Sequence, residues 1–146
     1  MRVSRRPDRR EGASCAELAI ILPVLMIIVV GAVDFGRFAY HYIAVTNAAR
    51  AGAEHATMTP FTPAGATAWQ AAVQQTARDE MTNQVGSDPD LLTTTATVFK
   101  DETGAHLGLR RVRVVATYDS FTTLISWPGV PDSVALSATV EMRMIR

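Results

Sequence analysis

The sequence predicts an α+β protein. A long N-terminal transmembrane helix is expected to continue into a small outer domain, where a second helix packs on a roughly three-stranded antiparallel sheet. Three observations predict this class. Residues 18–33 are apolar without a single charge, a helical pattern continues beyond them, and residues 133–144 alternate between apolar and polar side chains. A chain of 146 residues has room for one modest domain beside the membrane segment.

A basic arm precedes the apolar run. Residues 1–12 carry five arginines against two acidic residues, whereas residues 13–146 carry nine basic and twelve acidic side chains. Arginine beside an apolar span favours the cytoplasmic side of the membrane. The chain after Val33 is therefore expected to lie on the opposite side. No basic block with interleaved aromatic residues occurs, and nucleic acid is therefore not an expected partner.

The apolar run is long enough to cross a bilayer. Residues 13–33 would form roughly 31 Å of helix at about 1.5 Å per residue. A secretory signal peptide would have a shorter apolar core and a small-residue cleavage site, whereas this run continues into Asp34. We therefore expect a retained transmembrane helix over residues 13–33, mildly kinked at Pro23.

The same helix is expected to extend outside the membrane over residues 34–58. A seam of apolar and small residues recurs there at spacings of three and four: Phe35, Phe38, Tyr42, Val45, Ala49, Gly52 and Ala56. His41 and the charged residues Arg37, Arg50 and Glu54 fall off this seam. Small side chains allow close helix approach. The seam either covers the domain's own sheet or also packs against neighbouring copies.

Residues 59–146 are expected to form the outer domain. Pro60, Pro63 and Gly65 end the first helix. A second helix is predicted over residues 67–84. Its buried side would carry Trp69, Ala72, Val73, Ala77 and Met81, with Gln70, Gln74, Arg78 and Glu80 facing water. Strands are predicted over residues 91–99, 111–118 and 133–144.

An apolar connection precedes the last strand. It carries Phe121, Leu124, Ile125 and Trp127. These residues either fold back as a lid on the core or form a contact surface for a partner or the membrane.

Motifs for catalysis are missing from the sequence. The three histidines are scattered, no Cys/His cluster occurs, and the single cysteine, Cys15, cannot form an intrachain disulfide. Asp88 and Asp90 suit a turn better than a calcium site. We expect neither an enzyme nor a metal or cofactor.

Charged residues at the two ends of the apolar run are candidate functional residues. Glu17 lies at its start, and a membrane segment that tolerates an ionisable group usually has a use for it. Asp34 and Arg37 lie three residues apart at the outer boundary. They are expected to form an interfacial ion pair that anchors helix depth, worth well under about 1 kcal/mol when exposed.

Two stretches resemble the TadE-like proteins, the pseudopilins of tight-adherence (Tad) pilus systems. One is GASCAEL at residues 12–18, followed by the apolar helix. The other combines VDFGR at residues 33–37 with NAARAGA at residues 47–53. The resemblance covers about residues 11–56 and is mainly architectural beyond them. Leu18 departs from the aromatic residue that often follows the glutamate in such proteins.

The resemblance implies a type IV pilin-like fold and a minor pilin that assembles, primes or caps a Tad pilus. It implies that prepilin peptidase cleaves between Gly12 and Ala13, removing residues 1–12 as a cytoplasmic leader. Glu17 would then pair with the N-terminal amine of an adjacent subunit. Implied partners are other pilin or pseudopilin subunits, the inner-membrane assembly platform, the peptidase and the lipid bilayer. The outer domain would be extracytoplasmic, on a single-pass protein of the bacterial inner membrane or in a pilus fibre.

Two other interpretations remain. The chain could be an uncleaved, membrane-anchored envelope domain that binds a partner through its sheet or its apolar connection. It could also be a secreted enzyme released by signal peptidase, although no motif indicates an activity.

Overall fold

The computed structural model describes residues 9–83, 88–100, 110–122, 129 and 133–144. It contains two long helices, α1 (Arg9–Met58) and α2 (Ala66–Thr82), and three strands, β1 (Leu92–Lys100), β2 (Arg110–Thr122) and β3 (Ser133–Arg143). The strands form an antiparallel sheet in the order β1-β2-β3. The predicted α+β class is thus confirmed. The chain divides into two compact units, Met1–Gly36 (the apolar unit) and Arg37–Arg146 (the head unit).

The apolar unit consists, in its described part, of the first half of α1. The helix runs through Pro23 without interruption. Every side chain from residue 12 to residue 29 is exposed, including the large apolar ones. By length and composition, α1 is the one described helix that could cross a membrane.

In the head unit, α1 ends where proline prevents its continuation. The Thr59 N–H donates to the His55 carbonyl at 3.1 Å, and Pro60 follows directly. A short 3₁₀ turn (Pro63–Gly65) then leads into α2, and the Thr62 hydroxyl accepts a hydrogen bond from the Gly65 N–H at 3.3 Å. These bonds satisfy backbone groups that the helix ends would otherwise leave unpaired.

The buried side of α2 repeats every four residues: Trp69, Val73, Ala77 and Met81. The prediction that Ala72 shares this side is wrong, because Ala72 is exposed. The prediction that Gln70 and Arg78 face only water is also wrong. Both side chains bond to the backbone of β1, so α2 covers the outer edge of that strand.

The sheet buries one face against both helices. Along β3, alternate side chains point into the head unit, and the register places Val114 of β2 opposite Val140. One core cluster joins α1 residues 44–49 to Tyr118 and Leu136, and a second joins Ala53 and Ala56 to Val112 and Met144. In the core, positions of α1 further from Arg37 therefore pack near positions of β3 closer to Arg143.

Candidate functional site: the N-terminal helix and its docking face

The residues of the expected cleavage and assembly sites lie on the exposed surface of the apolar unit. Gly12, Ala13 and Glu17 all belong to α1 and are exposed. Ala13 and Glu17 are four residues apart, so they lie on the same side of the helix, one turn from each other. The helical backbone thus presents the carboxylate of Glu17 on the same face as the residue that would become the new N-terminus.

The apolar side chains at residues 18–29 of this unit are exposed instead of packed in a core. Leu18, Ile20 and Ile28 are each more than half exposed, and the exposure extends around the whole helix. A helix that is apolar on all sides is found buried in a large core or in a membrane. Together with its length, this surface indicates single-pass anchoring in a membrane.

Asp34 and Arg37 mark the boundary between the two units. Asp34 is only 7% exposed, and Arg37 is half-buried. The predicted interfacial ion pair of Asp34 and Arg37 stays a prediction. A carboxylate removed from water generally needs a charged or hydrogen-bonding partner, so the burial of Asp34 makes its substitution more costly than that of a surface residue.

The predicted seam on α1 divides into two parts. Val45, Ala49 and Gly52 are buried in the core of the head unit, as is Ala56. Phe38 is partly buried against the same core. In contrast, Phe35 and Tyr42 remain 72% and 48% exposed, and Phe38 and Tyr42 stack with ring centroids 6.4 Å apart.

Gly52 of α1 lies against α2. A Cβ atom at this position would lie 3.4 Å from Val73 Cγ1 and 3.6 Å from Ala77 Cβ. The small residues of the NAARAGA stretch therefore let the two helices of one head unit pack closely. The seam was expected to cover the domain's own sheet, and at Gly52 it contacts α2 of the same chain instead. Packing of the seam against neighbouring copies stays a prediction.

His41 is a buried residue that the seam pattern missed. It is 8% exposed and stacks on Tyr118, with ring centroids 5.7 Å apart and 12° between the ring planes. Burial lowers the pKa of His41 below its ordinary value of 6.5, and the charge of Arg37 lowers it further. The signal was available, because His41 follows Phe38 by three residues and precedes Val45 by four.

Only part of the predicted apolar connection can be located. The backbone of Phe121 belongs to β2 and pairs with Val134, beyond an irregularity that begins at Tyr118. Leu124, Ile125 and Trp127 lie outside the described residues. Both interpretations of this connection therefore remain predictions.

Potential ligand chemistry in the described residues is sparse. No group of three or more His, Cys, Asp or Glu side chains in this part of the chain is arranged to hold a metal ion. A shallow hollow of about 200 Å³ between α1 and α2 is lined by Asn47, Arg50, Ala51, Glu54 and Glu80. Its wall combines one cation and two carboxylates, without a nucleophile next to a general base.

An exposed apolar helix that leads into a small α+β head indicates a protein of the single-pass, membrane-anchored class. Residues 12–54 match the family model described as TadE-like protein. This match confirms the resemblance of the N-terminal helix to the TadE-like family and indicates a pilin-like protein associated with Tad pilus systems. The matched segment is less than a third of the 146 residues. Neither a curated protein nor a solved structure matches the chain significantly.

Proposed function

We propose that the chain is a minor pilin that helps to assemble, prime or cap a Tad-type pilus. The carrying observation is the exposed carboxylate of Glu17 at the start of an exposed apolar helix, inside the segment that matches the TadE-like family. The role is one of assembly rather than catalysis. Its partners would be other pilin or pseudopilin subunits and an inner-membrane assembly platform.

The proposed mechanism begins with removal of residues 1–12 by prepilin peptidase. Cleavage between Gly12 and Ala13 creates a free ammonium group one helical turn from Glu17. Glu17 lies near the end of the apolar run, where a carboxylate costs less than the about 3 kcal/mol that insertion scales give for the centre of a bilayer. A neighbouring ammonium offsets part of that cost, so the pair favours one axial register between adjacent helices.

The proposed topology follows from the charge of the arm. Its excess of arginine favours a cytoplasmic position for residues 1–12. In a bacterial inner membrane the head unit would then be extracytoplasmic. From this position the apolar helix can pass from lipid into a fibre, because both surroundings accept its exposed apolar side chains.

Glu17→Gln in pilus-producing cells tests the assembly role. The amide keeps the shape of the side chain and removes its charge, so we expect normal protein levels and a loss of fibres. Glu54→Gln is the matched control, because Glu54 is also an exposed glutamate on α1. We expect this control to assemble normally. Normal fibre numbers with Glu17→Gln would refute the role of the charge.

Mass spectrometry of the mature protein tests the processing step separately. We expect an N-terminus at Ala13. An intact arm together with unchanged pili would instead favour the uncleaved, membrane-anchored binding domain. A cut beyond Val33 would favour secretion.

A further inference from the structure

Exposed apolar and aromatic side chains continue along α1 beyond the predicted membrane segment. In the head unit, Tyr40, Tyr42 and Ile43 are 41%, 48% and 58% exposed. Ile43 lies on the side of α1 that faces away from the core, because the fully buried Val45 lies roughly 200° around the helix. Tyr40, Tyr42 and Ile43 form the tyrosine patch. An exposed patch of this kind indicates contact with a partner or a membrane.

The uncharged surface of α1 is longer than the hydrocarbon layer of a membrane. Between Glu17 and Arg50, none of the exposed residues of α1 is charged. The charged residues inside this interval are Asp34, which is buried, and Arg37, which is half-buried, and each has an interaction of its own. Glu17 and Arg50 are separated by about 50 Å of helix at 1.5 Å per residue. The hydrocarbon of a bilayer is only about 30 Å thick.

The distance from Glu17 along α1 assigns a depth to the tyrosine patch. About 30 Å of hydrocarbon corresponds to roughly 20 residues, which end near Arg37. The headgroup layer adds about 5–7 Å on each side, or up to roughly five residues, which end near Tyr42. At the average helix tilt of about 20°, this limit moves to about Ile43. The patch therefore falls within the headgroup layer, and Arg37 falls at the inner edge of that layer.

The chemistry of these side chains suits the headgroup layer. Tyrosine combines an apolar ring with a polar hydroxyl, and it is enriched where hydrocarbon meets water. An arginine at the inner edge can extend its charged end towards the lipid phosphates. Close packing of helices in a membrane favours small side chains instead, and Ala44, Ala48 and Gly52 are buried in the core of the head unit. The tyrosine patch thus fits lipid better than a second helix.

We propose that the tyrosine patch lies in the lipid headgroup layer, so that this end of the head unit contacts the membrane surface. The membrane boundary then lies about 2.5 helical turns beyond Asp34. His41 and Ala44 are buried at the same level of α1, so lipid contact and folding use different sides of the helix. The proposal rests on the membrane anchoring of α1 and is independent of the assembly role of Glu17.

Depth measurements with a fluorescent label test the proposal in the full-length protein. Cys15→Ser removes the single cysteine, and the label is attached at Ile43→Cys in vesicles of phosphatidylcholine. One quencher is phosphatidylcholine with a nitroxide on its headgroup, and the other is iodide on both sides of the membrane. Arg50→Cys is the matched control, because Arg50 lies on the same side of α1, about 10 Å further along. Ile28→Cys verifies insertion through quenching by a nitroxide on the acyl chain.

The two quenchers should rank the labels in opposite orders. We expect the headgroup nitroxide to quench the Ile43 label at least about twofold more strongly than the Arg50 label, because the two positions are about 10 Å apart along α1. Iodide should quench the Arg50 label more strongly. A label at Tyr40→Cys should behave like the one at Ile43, and it decides the question if the Ile43 label disturbs folding.

Two variants of Tyr42 test the chemistry of the contact. Tyr42→Trp keeps an amphipathic ring and should leave the quenching of the Ile43 label unchanged. Tyr42→Asp introduces a charge that resists entry into the membrane, so we expect iodide quenching of the Ile43 label to rise by about twofold. Tyr42 is about half exposed, so both side chains have room in the folded head unit.

Four outcomes would overturn the proposal. Iodide quenching at Ile43 equal to that at Arg50, with none from the headgroup nitroxide, would place the boundary near Asp34. Acyl-chain quenching at Ile43 as strong as at Ile28 would place the patch in the hydrocarbon. Shielding of Ile43 from both quenchers would mean that protein covers the patch: a second copy if lipid dilution removes the shielding, and a segment of the same chain if it does not. An Ile28 label that does not respond to the acyl-chain nitroxide would refute the anchoring itself.

Discussion

Substitution of Gly52 tests whether the NAARAGA stretch serves the fold of one chain or packing between chains. A Cβ atom at residue 52 would lie 3.4 Å from Val73 Cγ1, 3.5 Å from the Val73 carbonyl oxygen and 3.6 Å from Ala77 Cβ. These are ordinary contact distances, so one methyl group fits. Alanine also favours the helix over glycine by about 1 kcal/mol. We expect Gly52→Ala to raise the free energy of unfolding by about 0.5–1 kcal/mol.

A larger side chain at the same position should have the opposite effect. The atoms beyond Cβ in Gly52→Leu would meet the backbone of Val73, which cannot move aside as a flexible side chain can. Inserting such volume into a packed contact costs about 1–3 kcal/mol. Gly36→Leu is the matched control, because a Cβ atom at Gly36 has no neighbour within 4 Å. We expect the control not to lower stability.

Urea unfolding of the full-length protein in detergent micelles, followed by tryptophan fluorescence, measures these changes. The urea concentration at the midpoint of unfolding should shift, whereas the slope of the unfolding free energy against urea concentration should stay constant. A loss of more than about 1 kcal/mol for Gly52→Ala would refute the distances used here. An unchanged midpoint for Gly52→Leu, combined with a loss of fibres, would assign Gly52 to packing between subunits instead.

Three further predictions concern the head unit. Because the pKa of His41 is lowered in the folded state, the unfolded chain binds more protons near and below pH 6.5. The free energy of unfolding should therefore fall as pH drops through 6.5 and level off below the pKa of the folded state. His41→Gln should flatten this pH dependence when unfolding is measured from pH 8 to 5. Thr94 is 4% exposed, and its hydroxyl has no hydrogen-bond partner in the described part of the chain. Thr94→Val should therefore raise the free energy of unfolding by about 1 kcal/mol in thermal or urea unfolding. Thr95→Val, on the exposed face of the sheet, is the control and should change this free energy little. Gln70→Ala removes both hydrogen bonds to β1 and should cost about 1–2 kcal/mol in the same assay; Gln74→Ala is its control, and equal effects of the two would contradict the role of α2 as an edge cover.

The elements that could be predicted from the sequence are those with a strong local pattern. The apolar run of α1, the strict alternation along β3 and the repeat of Trp69, Val73, Ala77 and Met81 each follow from spacing alone. Periodicity reports which side of an element is apolar, and these elements bury that side. The predicted helix over residues 67–84 accordingly differs from α2 by only one or two residues at each end.

The features that could not be predicted depend on partners distant in the chain. The Gln70 side chain bonds to the backbone of β1, 24 residues further along the chain. The apolar pattern of α2 assigned Gln70 to the solvent side, because it contains no information on that strand. The spacing of His41 from Phe38 and Val45 places it on the buried side of α1, but its stacking partner, Tyr118, lies far along the chain and is not encoded by that spacing. The candidate assembly residue Glu17 was found for a different reason. A charge at the start of an apolar run is conspicuous without any tertiary information.

The face that α1 presents to the core of the head unit has a mechanical consequence. It is built largely from Ala44, Ala48, Ala49, Gly52, Ala53 and Ala56. Alanine and glycine lose no rotamer freedom on burial, so this interface orders at low entropic cost. It also contains few rotatable bonds that could stretch under load. Tension applied along this part of the helix would therefore be transmitted to the sheet with little deformation of the interface.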